Sequence, residues 1–459
     1  MPQSRQIIPL IIPASPVRSD LRRILQTALD AVDPYAAVIA DISLRGHKLH
    51  AGRRVYDLRK LKRIVVVGGG KAAVPMARAL VKILGRRVES GIIATAGDTA
   101  PRAVSKIQVF TAGHPIPDRR GLGVARRVLN TAESLAENDL LIVLLSGGAS
   151  SLLPLPAEGL TLLDKQKTTS LLLRSGATIA DVNTVRKHLS AIKGGRLAQA
   201  TRAQVLTLLL SDVGGDDLGT ICSGPTAPDP TTFQDAVRIV RRYGLWQRMP
   251  VRARVHLVEG LAGWQDETPK ARSRTFRRVN HVLVGNNRMA VQAAADAAHR
   301  LGYEVVTINR FLTGEAAQVG QWMGNLGQAL QQANLRRRLA IIAGGELTVT
   351  VKGNGRGGRA QEFALAGALS LQGTSGAWLA GVGTDGRDGP TNAAGAMVDG
   401  GTVARGQLKG YDAAKHLARN DSYRFFKRVG GHIKTGLTGT NVNDLYLLLL
   451  HPQKKSLVP

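Results

Sequence analysis

The sequence predicts an α/β protein with a mostly parallel N-terminal sheet and a second α/β domain after it. Three observations carry this. Continuous apolar runs recur at RIVVV (63–67), GIIAT (91–95), LLIVLLS (140–146) and VLTLLLS (205–211). Runs without alternation suit strands covered on both faces, as in a parallel sheet. Each run ends in glycine or polar residues (GGGK, Ala96-Gly97, Gly147-Gly148, DVGGDD), and such sheets bind ligands at the carboxyl ends of their strands. Finally, the pattern lapses over residues 250–280, a polar, basic stretch with Pro269, and restarts at HVLVGNN.

The elements follow in order. Residues 1–18 carry a short apolar piece broken by Pro9 and Pro13, which reads as a flexible arm. Ser19 or Asp20 is placed to cap a helix whose stripe is Leu21, Ile24, Leu25, Ala28 and Leu29. Strand and helix then alternate to about residue 275, which sets a first domain at 19–275 and a second at 276–459. The second reads as HVLVGNN, a helix over MAVQAAADAAHRLG, EVVTI, LAIIAGGE, TVTV, a glycine-rich loop, a helix over QEFALAGALSL, WLAGVGTDG and DLYLLLL.

Composition narrows the function. The 459 residues are 44% hydrophobic and 21% charged, an ordinary globular balance. One cysteine, Cys222, excludes an internal disulfide framework and points to a reducing, cytoplasmic setting. No apolar run is long enough to span a membrane, so no membrane partner is expected. Net charge is +29, from 62 basic and 33 acidic residues. The basic residues are spread along the chain, and aromatics are only 4%. That distribution favours compositional bias or attraction of anionic substrates over specific nucleic-acid recognition.

The loops carry the chemistry. VVVGGGKAA turns from strand to helix with Gly68, Gly69 and Gly70 ahead of Lys71, a glycine nest with a point charge for a phosphate. It also fits GxGxxA, but the acid such a dinucleotide site needs is represented only by Glu89, ahead of the next run. LLSGGASSLL offers Ser146, Gly147, Gly148 and Ser150 at a second strand–glycine turn. In DVNTVRKHLSAIKGGRLA, Arg186 and Lys193 lie seven apart, on one helical face, as an anion clamp. After VLTLLLS, Asp212, Asp216 and Asp217 cluster, and three carboxylates there call for a cation such as Mg²⁺ with phosphate. His114 in HPIPD is a base by type, yet beside two prolines it reads as structural. Asn287 can hydrogen-bond a ligand.

GGELTVTVKGNGRGGRAQEFALA and GVGTDGRDGPTNAAGAMVD supply two more glycine-rich loops, with Glu346, Arg359, Asp385 and Asp388. Arg359 can fork onto a phosphate or carboxylate, and the two aspartates can face a divalent cation.

Taken together, GGGKAA, AGHPIPD, LLSGG, DVNTVRKHLSAIKGGRLA, SDVGGDDLGTICSGPTAPDP, GNN, GGELTVT, GRGGRAQE, GTDGRDGPTNAAGAMVD and TGTNVNDL resemble the glycerate 2-kinase family, whose C-terminal region is the MOFRL domain. The resemblance runs from about residue 20 to 450. It implies a Rossmann-like N-terminal domain, a smaller α/β C-terminal domain and an active site in the cleft between them. It implies ATP- and Mg²⁺-dependent phosphorylation of D-glycerate at its 2-hydroxyl. The expected partners are D-glycerate and ATP, with the chain a monomer or homodimer. Lys71, Asp212 and Arg359 match the catalytic positions. Gly68, Gly69, Gly70, Ser146, Gly147, Gly148, Asn287, Glu346 and Asp385 become nucleotide contacts. Arg186, Lys193 and Ser150 become substrate contacts, and Asp216, Asp217 and Asp388 metal ligands. Departures from the family pattern are Ala149, Leu347, Ala360 and Leu437, with Leu347 and Ala360 expected to flank the site. The alternative, a nicotinamide-dependent hydroxypyruvate reductase, rests on GxGxxA and the older naming of some members.

Overall fold

The structure, a computed structural model, describes residues 10–97 and 102–453. Its contacts divide the chain into two compact units, Pro34–Val284 and a discontinuous one of Met1–Asp33 with Gly285–Pro459. The expected division at 275/276 therefore differs on both counts. The first helix groups with the C-terminal half, and the polar stretch at 250–280 is interior to the central unit. That stretch contains a helix, Val251–Leu261, and the start of a strand.

In the central unit helix Pro34–Asp41 leads into an antiparallel ribbon: β1 (Ile42–Arg45), β2 (Lys48–Ala51) and β3 (Arg54–Asp57). The main sheet holds β4 (Ile64–Gly69), β5 (Ser90–Thr95), β6 (Ala103–Val104), β7 (Ile107–Thr111), β8 (Leu140–Leu145), β9 (Gln204–Leu210) and β10 (Val279–Gly285). Its order is β10-β9-β8-β4-β5-β7-β6. The pairs β4–β5, β4–β8, β5–β7 and β8–β9 are parallel, and short β6 is antiparallel to β7. This is the strand order of a doubly wound dinucleotide-binding sheet, with its switch point between β4 and β8. Every residue of β4 and β8 is buried, as their unbroken apolar sequences predicted. A separate helical core, built from Leu172, Val185, Phe233, Val240 and Leu257, holds the helices Leu162–Arg174, Ile179–His188, Phe233–Arg242 and Val251–Leu261 together.

The other unit has a six-stranded sheet: β11 (Glu304–Leu312), β12 (Leu339–Gly345), β13 (Ala377–Gly383), β14 (Gly395–Asp399), β15 (His432–Ile433) and β16 (Asp444–Leu450), ordered β11-β12-β16-β13-β14-β15. Among the described residues of this sheet only β11–β12 pairs in parallel, and β16 runs antiparallel to both neighbours. DLYLLLL thus reads as a doubly covered strand without being parallel: Tyr446, Leu448 and Leu450 join the core under helices Ala316–Gln332 and Arg359–Ser370, and helix Asn287–Arg300 also packs against the strand. TVTV forms no strand, only one bridge between Thr348 and Glu315.

Two N-terminal expectations change. Helix Arg18–Ala31 buries the predicted stripe, but Val17 stands at its N-cap with no side-chain cap. The arm's Met1–Pro9 lies outside the described residues. Its remainder is docked: Leu10, Ile12 and Val17 are buried, and Ile11 exchanges backbone hydrogen bonds with Lys434. Among the described residues no helix is long and apolar enough to cross a membrane.

Candidate functional site

The switch point of the central sheet draws two glycine turns together. Lys71 N–H donates to the Gly147 carbonyl at 2.9 Å, and Ala72 N–H to Ser146 Oγ at 3.0 Å. Gly68 and Gly70 have φ of 139° and 136°, and a Cβ at either would overlap Leu144 or Ser146. Only glycine permits this packing. Lys71 stands exposed just ahead of helix Ala73–Leu84, where its charge and the helix dipole favour an anion, while the N–H groups of Gly70, Lys71, Ala72 and Ala73 are all donated within the protein. His114 belongs to the same corner. A Cβ on Gly148 would meet its ring at 2.9 Å, and its pKa is lowered by desolvation and then by Lys71. Its place beside two prolines gave no hint of this proximity.

Arg186 and Lys193 do meet, though not on one helical face. The helix ends at His188, and the chain turns so that Gly194 and Gly195 N–H donate to the carbonyls of Ser223 and Gly224. Both cations then converge on Ser150. Arg186 Nη2 donates to Ser150 Oγ at 2.7 Å, and Lys193 Nζ donates to the same oxygen at 2.7 Å and to the Ser150 carbonyl at 3.0 Å. With both lone pairs of the hydroxyl engaged, its proton points to Ser223 Oγ at 3.0 Å, whose own proton goes to Asn183 Oδ1 at 3.1 Å. Burial pulls Lys193 well below the usual lysine range, reinforced by Arg186 and Lys165. Ser223, Asn183 and Lys165 were not singled out in the sequence.

The loop after β9 brings Asp212 into this neighbourhood. Burial raises the Cys222 thiol to about 12, and Asp212 adds to the rise while Lys193 and Arg186 oppose it. Cys222 also donates to the Ser146 carbonyl at 3.3 Å, which ties the loop to the second glycine turn. Asp216, Cys222 and Ser223 all adopt left-handed φ without being glycine, backbone strain of the kind that gathers at functional sites. Asp217 accepts from Thr220 Oγ1 at 2.7 Å. Among the described residues no group of three or more His, Cys, Asp or Glu is arranged to hold a metal ion.

In the other unit Arg359 opens helix Arg359–Ser370. Its Nε pairs with buried Asp444 at 2.5 Å, its Nη1 with Glu346 at 2.7 Å, and Tyr446 Oη donates to Asp444 at 2.8 Å. Burial pushes the Asp444 carboxyl up to about 7 against the pull of Arg359. Arg359 itself is raised, since its two carboxylate partners outweigh its desolvation.

Several expectations here meet groups that are already occupied. Asp388 is buried, and its oxygens accept from Ala360 N–H at 3.0 Å, Gln361 N–H at 2.8 Å and the Gln361 amide at 2.9 Å, so it caps that helix and is not poised for a metal. Asn287 spends both amide protons on the Val442 and Asp444 carbonyls, at 2.8 and 3.0 Å, bracing the turn and leaving no donor for a nucleotide. Leu347 and Ala360, next in sequence to Glu346 and Arg359, are fully buried. The loop at 353–358 is not an open anion nest either. Gly353 N–H and Arg356 N–H donate to the side chains of Asn420 and Asp421, and Gly355 N–H to the Arg419 carbonyl. Asp385 accepts from Arg387 N–H at 2.9 Å within its own turn.

Known proteins resemble this chain along most of its length. Residues 20–258 match a domain of unknown function, DUF4147, and residues 339–444 match the MOFRL family. The glycerate 2-kinase of Pyrococcus horikoshii is 39% identical, over 93% of this chain and 96% of its own. The D-glycerate 2-kinase of Thermotoga maritima is 41% identical, over 85% of this chain and 91% of its own. The crystal structure of a glycerate kinase from Thermotoga maritima superposes with a TM-score of 0.83 at 38% identity, covering 94% of this chain and 99% of that one. With its doubly wound central sheet, its MOFRL region and this similarity along nearly its whole length, the chain belongs to the glycerate 2-kinase family.

Proposed function

We propose that the protein phosphorylates D-glycerate at its 2-hydroxyl, using ATP with Mg²⁺ and releasing 2-phosphoglycerate and ADP. The observation that carries this is the pairing, at one switch point, of a glycine turn bearing Lys71 with the cations that meet on Ser150. The first suits the phosphates of a nucleotide, and the second suits a small carboxylate. In this reading Arg186 and Lys193 hold the glycerate carboxylate. Asp212 accepts the proton of the 2-hydroxyl as its oxygen attacks the γ-phosphorus and the bond to the ADP oxygen breaks. Lys71 offsets charge on the transferred group, Arg359 is kept as a catalytic position from the family resemblance, and electrostatics and positioning are most of what phosphoryl transfer asks of a protein.

Mg²⁺ commonly binds through one or two carboxylates plus substrate phosphates. Asp216 and Asp217, two carboxylates in the loop after β9, would suit a cation that arrives with the nucleotide. When bound, it would neutralise phosphate charge.

The reductase reading is weakened by Glu89. It precedes β5, at the opposite end from where a ribose-binding acid belongs.

The test is an ADP-release assay with D-glycerate, ATP and Mg²⁺, with the product assigned by phosphorus NMR. Absence of glycerate-dependent ADP would sink the proposal. Lys71→Ala and Arg359→Ala are each expected to lower kcat by about 10²-fold or more while the circular dichroism spectrum stays unchanged.

A further inference from the structure

Beside Ser150 lies a cavity of about 650 Å³ lined by Ser150, Lys165, Lys167, Arg174, Arg186 and Lys193 among others, with no Asp or Glu among the described residues of its wall. Lys165 and Lys193 are only 7% and 1% exposed. Their partners are neutral oxygens: Leu155 carbonyl for Lys165 at 3.1 Å, and Ser150 for Lys193 and Arg186. Among the described residues none of these three cations makes an ion pair. Lys187, equally buried nearby in sequence, shows the usual solution, a pair with Asp229 at 3.3 Å. Three cations gathered without a counter-ion repel one another in a medium that screens poorly. The geometry leaves most of their donors unspent: Lys165 uses one of three, and Arg186 one of five.

We propose that this cavity selects anions by charge number, with Lys165 as its third cation, and that a compact organic dianion binds there more tightly than a monocarboxylate of similar size. This rests on the assignment of Arg186 and Lys193 to the acceptor's carboxylate, and it deepens it. A monocarboxylate neutralises one of the three charges. A phosphorylated hydroxy acid brings a carboxylate and a phosphate on adjacent atoms and neutralises all three. The product is therefore held more tightly than the acceptor and competes with it. Lys165 is a specificity-determining residue for that competition.

The experiment compares malonate with acetate at constant ionic strength, by thermal shift and by calorimetry, without nucleotide. Wild-type protein is expected to bind malonate at least about tenfold more tightly than acetate, as unpaired buried cations demand. In Lys165→Met that ratio should fall to about threefold or less, with the melting temperature of the unliganded variant equal to or above wild type, because a buried charge is gone. Equal wild-type binding of the two anions, or an unchanged ratio in the variant, overturns the proposal. Lys165→Gln repeats the comparison if the methionine variant misfolds. If the anion ratio stands while no glycerate-dependent ADP appears, the pocket survives and the kinase reading falls. Kinase activity with an unselective pocket overturns the charge-number proposal and leaves the kinase reading standing.

Discussion

A methyl group at position 70 would collide with Ser146, and the residue's φ of 136° is closed to ordinary side chains. Gly70→Ala is therefore expected to cost about 2 kcal/mol or more and to weaken ATP binding by at least about tenfold. Gly85→Ala, at φ 58° and ψ −129° with open space around it, should carry the backbone cost without a collision and leave ATP binding alone. Urea denaturation and nucleotide titration of both variants read this out. Asp444 offers a second residue-scale prediction. Because burial raises its carboxyl to about 7, the native protein holds that proton more tightly than the unfolded chain. Its stabilising effect is present at low pH and is lost as pH rises toward 7. Activity runs the other way, since the ionised carboxylate is what fixes Arg359. kcat/KM should rise through pH 7, and Asp444→Asn should flatten that rise at an activity about tenfold lower. A variant that keeps the wild-type pH profile would remove Asp444 from this role. Such residues were partly legible. Lys71 announces itself because strand, glycines and helix adjoin it in sequence. Lys165 does not, because the two lysines of LLDKQKTTSLLLR look alike, as parts of a solvated face.

At the scale of elements, helix Arg359–Ser370 shows what a motif conceals. Gly353–Gly358 and Asp388 read from sequence as anion and metal loops, yet their polar groups are largely occupied within the protein. Glycine is needed there for close approach: a Cβ on Gly355 would meet Asp421, and one on Gly358 would meet Asp388. Sequence shows the composition of a loop but not which of its N–H groups are already taken. Asp388→Ala removes the acceptor of two helix N–H groups and should lower stability by about 2–3 kcal/mol, measured from the urea midpoint. The Mg²⁺ concentration for half-maximal activity should not move. A large increase would restore Asp388 as a metal ligand. The sheet strands were the most legible elements, because residues buried on both faces leave an unbroken apolar record. Their direction was not, since β16 is covered like a parallel strand while running antiparallel.

For the whole molecule, charge and buried histidines set the response to solution conditions. A net charge of +29 attracts anionic substrates at long range, so kcat/KM for glycerate should fall several-fold as ionic strength rises from about 20 mM to about 500 mM. A flat response would mean that the excess charge lies too far from the site to steer. His281 and His432 are each lowered to about 4, chiefly by burial. An unfolded chain takes up those protons near 6.5, before the native state does. Stability is therefore full above that value and declines as pH falls toward 4. Calorimetric melting between pH 7 and pH 4 should show the decline, and His281→Gln should reduce it. Domain boundaries were the least legible feature, because a polar, proline-bearing stretch marks a surface and not necessarily a seam. The grouping of Met1–Asp33 with Gly285–Pro459 also has a consequence for synthesis. On a ribosome the helix Arg18–Ala31 emerges early, but its partner helix Asn287–Arg300 is made only after the whole central unit. Throughout that interval Leu21, Ile24, Leu25, Ala28 and Leu29 wait for the partner that covers them, so a segment made before the central unit is placed only after it.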